Sequence, residues 1–193
     1  MVVERYVDID PRKVASLAAG QSYILDVDSS DVASLTDGGL FSATLDYDAL
    51  RGVDAIFICV PTPYDAMRAP DLSYIRDTAE GILPRLRKGQ LIVLQSTTYP
   101  GTTEEIVLPI LERNGLKAGV DFDLAFSPER IDPGRRDFDV RNTPKVVGGL
   151  TPGATERASI LLSAIGAPIH PVSSPRAAEM TKLLENIFRS VNI

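Results

Sequence analysis

Hydroxyl, carboxylate and amine side chains recur along this 193-residue chain beside prolines and glycines. In VPTP, Thr62 stands between two prolines, whose fixed backbone presents its hydroxyl in a defined direction. QSTTYPG repeats the device with Ser96, Thr97 and Thr98 ahead of Pro100 and Gly101, a row of hydroxyls able to bind a ribose or orient a water. In SPER, the carboxylate of Glu129 could act as a base or hold a water, and Arg130 could grip phosphate or carboxylate. A surface ion pair would account for both equally well. Lys182 and Asn186, four residues apart, share one face of a helix, where an ammonium and an amide could steady a developing oxyanion or simply face solvent. Asp8 ends the first extended run and is suitably placed to accept hydrogen bonds from a ribose diol, or to cap a helix. Lys13, five residues on, could reach a nucleotide phosphate or remain a solvated charge.

Other chemistries find little support. The single cysteine, Cys59, lies inside the apolar run AIFICV and reads as a buried strand thiol rather than a nucleophile. The single histidine, His170, reads as an ordinary surface or strand-end residue, and no metal site is expected. A net charge of −6, from 20 basic and 26 acidic residues, offers no basic stripe for nucleic acid. The longest apolar run, Ala55 to Val60, is far below a membrane span, and the opening residues lack signal-peptide architecture, so a cytoplasmic location is expected. With 44% hydrophobic residues spread along its length, the chain can build a core.

The elements that must position these residues alternate in type. VVERYVDID reads as a strand, and PRKVASLAAG as a helix opened by Pro11 and stopped by Gly20. A loop rich in Asp, Ser and Gly then leads to DAIFICVP, apolar throughout as in a strand covered on both faces. Asp71 can cap a helix over roughly residues 72–88, with Gly81 and Pro84 marking a kink or early end. LIVLQST reads as a strand, TTEEIVLPILERNG as a helix interrupted at Pro109, and DFDLAFSPER as a further strand. KVVGGL reads as a strand, TPGATERASILLSAIG as a helix capped by Thr151, HPVSS as a short strand, and the remainder from Pro175 as helix. Such alternation predicts an α/β fold with a doubly wound parallel sheet, whose ligands bind beyond the carboxyl ends of the strands. Thr62, Ser96, Thr97 and Glu129 all lie at the ends of predicted strands.

The segments VDIDPRKV, ICVPTP, PDLSYI, QSTTYPGTTEE, LAFSPERIDPG, NTPKVVGG and AAEMTKLLENIFRSVNI, in this order and spacing, resemble the UDP-glucose/GDP-mannose dehydrogenase family, most of all its branch acting on UDP-N-acetylhexosamines. The resemblance covers essentially the whole chain. It implies a Rossmann-like domain over residues 1–174 and, over residues 175–193, the start of a long central helix serving dimerisation and substrate binding. It also implies an NAD-dependent enzyme that oxidises the C6 alcohol of a UDP-sugar to the uronate for polysaccharide precursors. Two NAD would be used, through a cysteine-bound thiohemiacetal and thioester, in a homodimer or larger assembly. Asp8, Lys13, Val60, Pro61, Thr62, Ser96 and Thr97 would bind the cofactor. Thr97 and Glu129 would orient water and assist proton transfer, Lys182 would stabilise the oxyanion, and Asn186 would position substrate or water. Arg130 would also face the sugar nucleotide, together with Glu129, Lys182 and Asn186.

The chain departs from that pattern. Seven residues precede Asp8, so the first strand and its glycine turn, which would cradle the pyrophosphate, have no room. The segment bearing the nucleophilic cysteine is also lacking, and a buried Cys59 could not replace it. The missing strand is expected to leave two unpaired sheet edges and a chain of doubtful stability that turns over no UDP-N-acetylglucosamine by itself. Two other readings compete: a non-catalytic remnant binding a nucleotide or partner chain, and a β-hydroxyacid-type dehydrogenase, which also pairs Lys and Asn on a helix.

Overall fold

The computed structural model describes residues 2–64, 69–130 and 141–192, arranged as two compact units, Met1–Gly52 and Val53–Ile193. In the first unit, strand β1 (Glu4–Val7) leads to helix α1 (Pro11–Ala18), which Asp10 caps by accepting the Arg12 N–H at 2.9 Å. The stretch read as a loop instead forms helix α2 (Ser29–Asp37) and strand β2 (Phe41–Thr44), followed by a 3₁₀ turn at Tyr47–Gly52. α2 escapes its sequence because SSDVASLTD buries a single residue, Val32, and β2 is the four-residue FSAT. β1 and β2 pair in parallel, Glu4 opposite Phe41 through Val7 opposite Thr44.

The second unit carries a five-stranded sheet in the order β3 (Ala55–Ile58), β4 (Leu91–Leu94), β5 (Asp123–Phe126), β6 (Lys145–Gly149), β7 (Ile169–Pro171). β3, β4 and β5 run parallel, as do β6 and β7. β5 and β6 are antiparallel, the one departure from an all-parallel sheet within the expected α/β architecture. β4 is buried at all four positions. Leu91 and Val93 join Ala125 and Val147 under Ala158 and Leu162 of helix α5 (Pro152–Ser163), while Ile92 and Leu94, of opposite parity, are buried on the other face. Each buried Leu, Ile or Val side chain here contributes roughly 1.5–3 kcal/mol. β3 differs from expectation. It pairs only with β4 among the described residues and leaves Phe57 partly exposed, so it is not covered on both faces.

Local chemistry sets the connections. Helix α3 (Ser73–Ile82) ends before Pro84, and Asp71 accepts the Ser73 N–H at 2.9 Å from just outside its first turn. After β4, Pro109 can neither donate an N–H nor let its ring approach the carbonyl four residues back. The helix accordingly opens as a π turn, Thr103–Val107, before α4 (Leu108–Leu111). Thr151 caps α5, accepting the Ala154 N–H at 3.1 Å. Helix α6 (Pro175–Asn192) closes the description and packs against β5 and β6. The sequence GG in β6 is a packing requirement: a Cβ on Gly148 would lie 2.0 Å from the Ser174 carbonyl ahead of α6, and one on Gly149 2.3 Å from the Thr155 nitrogen of α5. No helix among the described residues is long and apolar enough to cross a membrane.

Candidate active site

The ends of β3, β4 and β5 open onto a cleft of about 520 Å³ lined by Cys59, Val60, Pro61, Thr62, Gln95, Ser96, Thr97 and Glu129. Parallel strands bring these ends together because β3, β4 and β5 advance in step, Ile58 beside Leu94 and Leu94 beside Phe126. Ser96 is buried, and its hydroxyl donates to the carbonyls of Val60 at 2.8 Å and Ile58 at 3.3 Å. It staples the two strand ends and so is already engaged, whereas Thr97 stands exposed at the lip. Thr98 and Ser127 hold buried hydroxyls with no partner among the described residues.

Cys59 does not lie in a buried strand. It follows β3, is exposed, and lines this cleft with its thiol donating to Gln95 Oε1 at 3.2 Å. The physical reason is that β3 ends at Ile58, so Cys59 falls in the segment beyond the strand that forms the cleft wall. Burial therefore does not set Cys59 apart from the cleft chemistry.

Glu129 is held from two sides. Lys145 Nζ donates to its Oε2 at 2.7 Å, and its other oxygen accepts the Arg130 N–H at 2.7 Å. Lys182 Nζ, on α6, donates to the Glu129 main-chain oxygen at 2.7 Å. Burial lowers the Lys182 pKa, with the Arg189 charge acting in the same sense and Glu185 and Glu129 opposing it. The amine can thus give up a proton at smaller cost than a solvated lysine. Arg130 is committed: its guanidinium holds Glu185 and donates to the Pro144 carbonyl at 2.9 Å. Asn186 lies one turn beyond Lys182 on α6, half-buried. Thr97, Glu129 and Lys182 therefore belong to one neighbourhood. Ile131 to Gly134 of the SPERIDPG motif lie outside the described residues. His170 is exposed on β7.

Asp8 and Lys13 belong to the other unit. Asp8 Oδ2 accepts Tyr6 Oη at 2.5 Å and Lys13 Nζ at 3.4 Å, and Oδ1 accepts the Asp10 N–H at 2.9 Å. Burial works to raise the Asp8 pKa, but the Tyr6 hydroxyl, the Asp10 N–H and Lys13 together bring it below the usual aspartate range. Three of about four acceptor positions are occupied. A ribose diol would take the one left and compete with Tyr6 for another.

Sequence reasoning missed Lys145, the cation beside Glu129, because a lysine opening an apolar strand reads as its solvated end; in the structure it is buried at the start of β6, opposite Ile169 of β7, with its amine on Glu129. Gln95 escaped for the same reason, as its role appears only through the neighbouring strand.

NAD fits part of this arrangement. The apolar wall of Val60 and Pro61 and the hydroxyl-bearing Thr62 and Thr97 on the cleft lining suit a nicotinamide and its ribose.

A wound α/β sheet with a polar cleft at its strand ends defines a dinucleotide-binding domain of the oxidoreductase kind. The chain belongs to the UDP-glucose/GDP-mannose dehydrogenase family, whose NAD binding domain it matches over residues 3–165. It is 37% identical over 188 residues to UDP-N-acetyl-D-glucosamine 6-dehydrogenase of Pseudomonas aeruginosa, covering 96% of this chain and 44% of that protein. It is 35% identical to UDP-N-acetyl-D-mannosamine dehydrogenase of Yersinia pestis, covering 97% of this chain and 46% of that one. Among solved structures, the UDP-D-ManNAc dehydrogenase of Pyrococcus horikoshii superposes with a TM-score of 0.91 at 31% identity, over 98% of this chain and 45% of that one. The chain thus spans less than half the length of these relatives.

Proposed function

We propose that the chain forms the cofactor-binding part of an NAD-dependent dehydrogenase that oxidises the C6 alcohol of a UDP-sugar, a UDP-N-acetylhexosamine or UDP-glucose, to the uronate. The carrying observation is the cleft that joins Thr97 to Glu129, with the amine of Lys182 bound to the Glu129 carbonyl. Two NAD, bound in turn, would supply the acceptors for the two hydrides that leave C6 on the way from alcohol to uronate. Val60, Pro61 and Thr62 would hold the nicotinamide end, Ser96 keeps the β3 and β4 ends together, and Asp8 with Lys13 would serve the adenosine ribose. Glu129, ionised beside Lys145, accepts a proton or holds a water together with Thr97. Lys182 and Asn186 offer donors to the sugar oxygen as charge develops on it. Residues 175–193 begin the helix that contributes these substrate contacts, and a homodimer or larger assembly in the cytoplasm synthesising polysaccharide precursors is the setting this reading favours.

The test is a titration of the chain with NADH, followed by its fluorescence. Binding that weakens in T62A and T97A supports the reading. A chain that leaves NADH unbound would point instead to the remnant that binds a partner.

A further inference from the structure

One buried carboxylate has no part in the cleft chemistry. Glu179, in the second turn of α6, is fully buried; its Oε2 accepts the Gly101 N–H at 2.5 Å, and its Oε1 accepts the Thr103 N–H at 2.9 Å and the Thr103 hydroxyl at 2.6 Å. Gly101 and Thr103 lie at the N-terminus of the helical segment after β4, where backbone donors lack intrahelical partners and negative charge is favoured. The cap comes from α6, 78 residues from Gly101 along the chain. Beside it, Arg176 binds Glu104 at 3.0 Å and Glu105 at 2.8 Å. Gly101 is required at this crossing: its φ is +111°, and a Cβ would lie 2.6 Å from Glu105 Oε1 and 3.1 Å from Arg176 Nη2.

The lip of the cleft is a short strap between two anchors. Ser96 fixes one end to the β3 carbonyls, and Glu179 fixes the Gly101–Thr103 turn at the other. Thr97 sits between them. Lys182 follows Glu179 by three residues and projects from the same side of α6. A buried carboxyl group costs free energy that an apolar side chain would avoid, and its two oxygens here accept all three of these hydrogen bonds.

We propose that Glu179 is a positioning residue, holding the Ser96–Thr98 lip and the Lys182 turn of α6 in one fixed geometry through the Gly101–Thr103 turn. The functional half of this proposal rests on the cleft being the cofactor site.

E179Q places an amide donor against a backbone donor, and T103V removes the hydroxyl bond alone. L162V, a core change on α5 away from these contacts, serves as the control for simple loss of stability. Amide hydrogen exchange across residues 95–103 should rise about tenfold in E179Q, the equivalent of one hydrogen bond to a charged group, and less in T103V. The β4 and β5 amides should exchange as in the wild type, and NADH affinity should fall several-fold in E179Q. L162V should leave lip exchange and NADH affinity unchanged. Unchanged lip exchange in E179Q, or a rise only in step with the strands, would overturn the proposal. If the wild-type chain fails to bind NADH, the cofactor reading falls, while the exchange comparison still judges whether Glu179 positions the lip.

Discussion

Lys182 Nζ lies 2.7 Å from the main-chain oxygen of Glu129, fastening α6 to the segment that follows β5. The Glu129 side chain meets a second amine, Lys145, and the two partners differ in burial: the Lys145 side chain is 2% exposed and the Glu129 side chain 49%. Removing the carboxylate strands an ammonium in the interior, while removing the amine leaves a carboxylate that water reaches. E129A should therefore lower stability by about 1–3 kcal/mol, and K145M by less. Urea unfolding midpoints at constant m measure both. K145M as the more damaging change would contradict this account.

The two glycines of β6 should tolerate no side chain. A Cβ at either position meets backbone, which cannot rotate aside as a long side chain can. G148A and G149A should each cost about 1–3 kcal/mol or more by overpacking. Gly52 has open space around it and no positive φ, so G52A should leave thermal stability unchanged or raise it slightly.

What the sequence made legible depended on whether one segment carried its own signal. LIVL declares a strand buried on both faces, Thr151 declares a helix start, and paired prolines declare where hydroxyls are presented. The direction of β6 carried a weaker signal that was available: no helical periodicity separates SPER from KVVGGL, and a parallel return normally needs a crossover helix. α2 and β2 were missed because each buries too few apolar residues to show a period. Lys145 and Glu179 were illegible for another reason. Each is an ordinary charged residue in its own segment, and its burial and partners come from strands or turns distant in sequence.

Cys59 offers a direct check on the β3 edge. An exposed thiol should react with a disulfide reagent such as DTNB in the native state, one equivalent per chain. Because it lines the cleft with Thr62 and Thr97, added NAD should slow the reaction. A thiol that reacts only on unfolding would restore the buried-strand reading.

The pH dependence of stability should carry the mark of Glu179. Burial raises its pKa above the usual glutamate range, outweighing the hydrogen bonds from Thr103 and the Gly101 N–H. From about pH 4.3 up to its folded value, Glu179 keeps a proton in the native state that the unfolded chain has released. Its contribution to stability therefore falls as pH rises through that window. Carboxylates with lowered pKa act in the opposite sense: Glu112, held down first by its bond from Lys117, loses its contribution as pH falls. Comparing wild type with E179Q cancels such terms. Urea midpoints measured across this range should show a wild-type stability that declines with rising pH relative to E179Q; a difference that does not vary with pH would mean Glu179 stays ionised throughout.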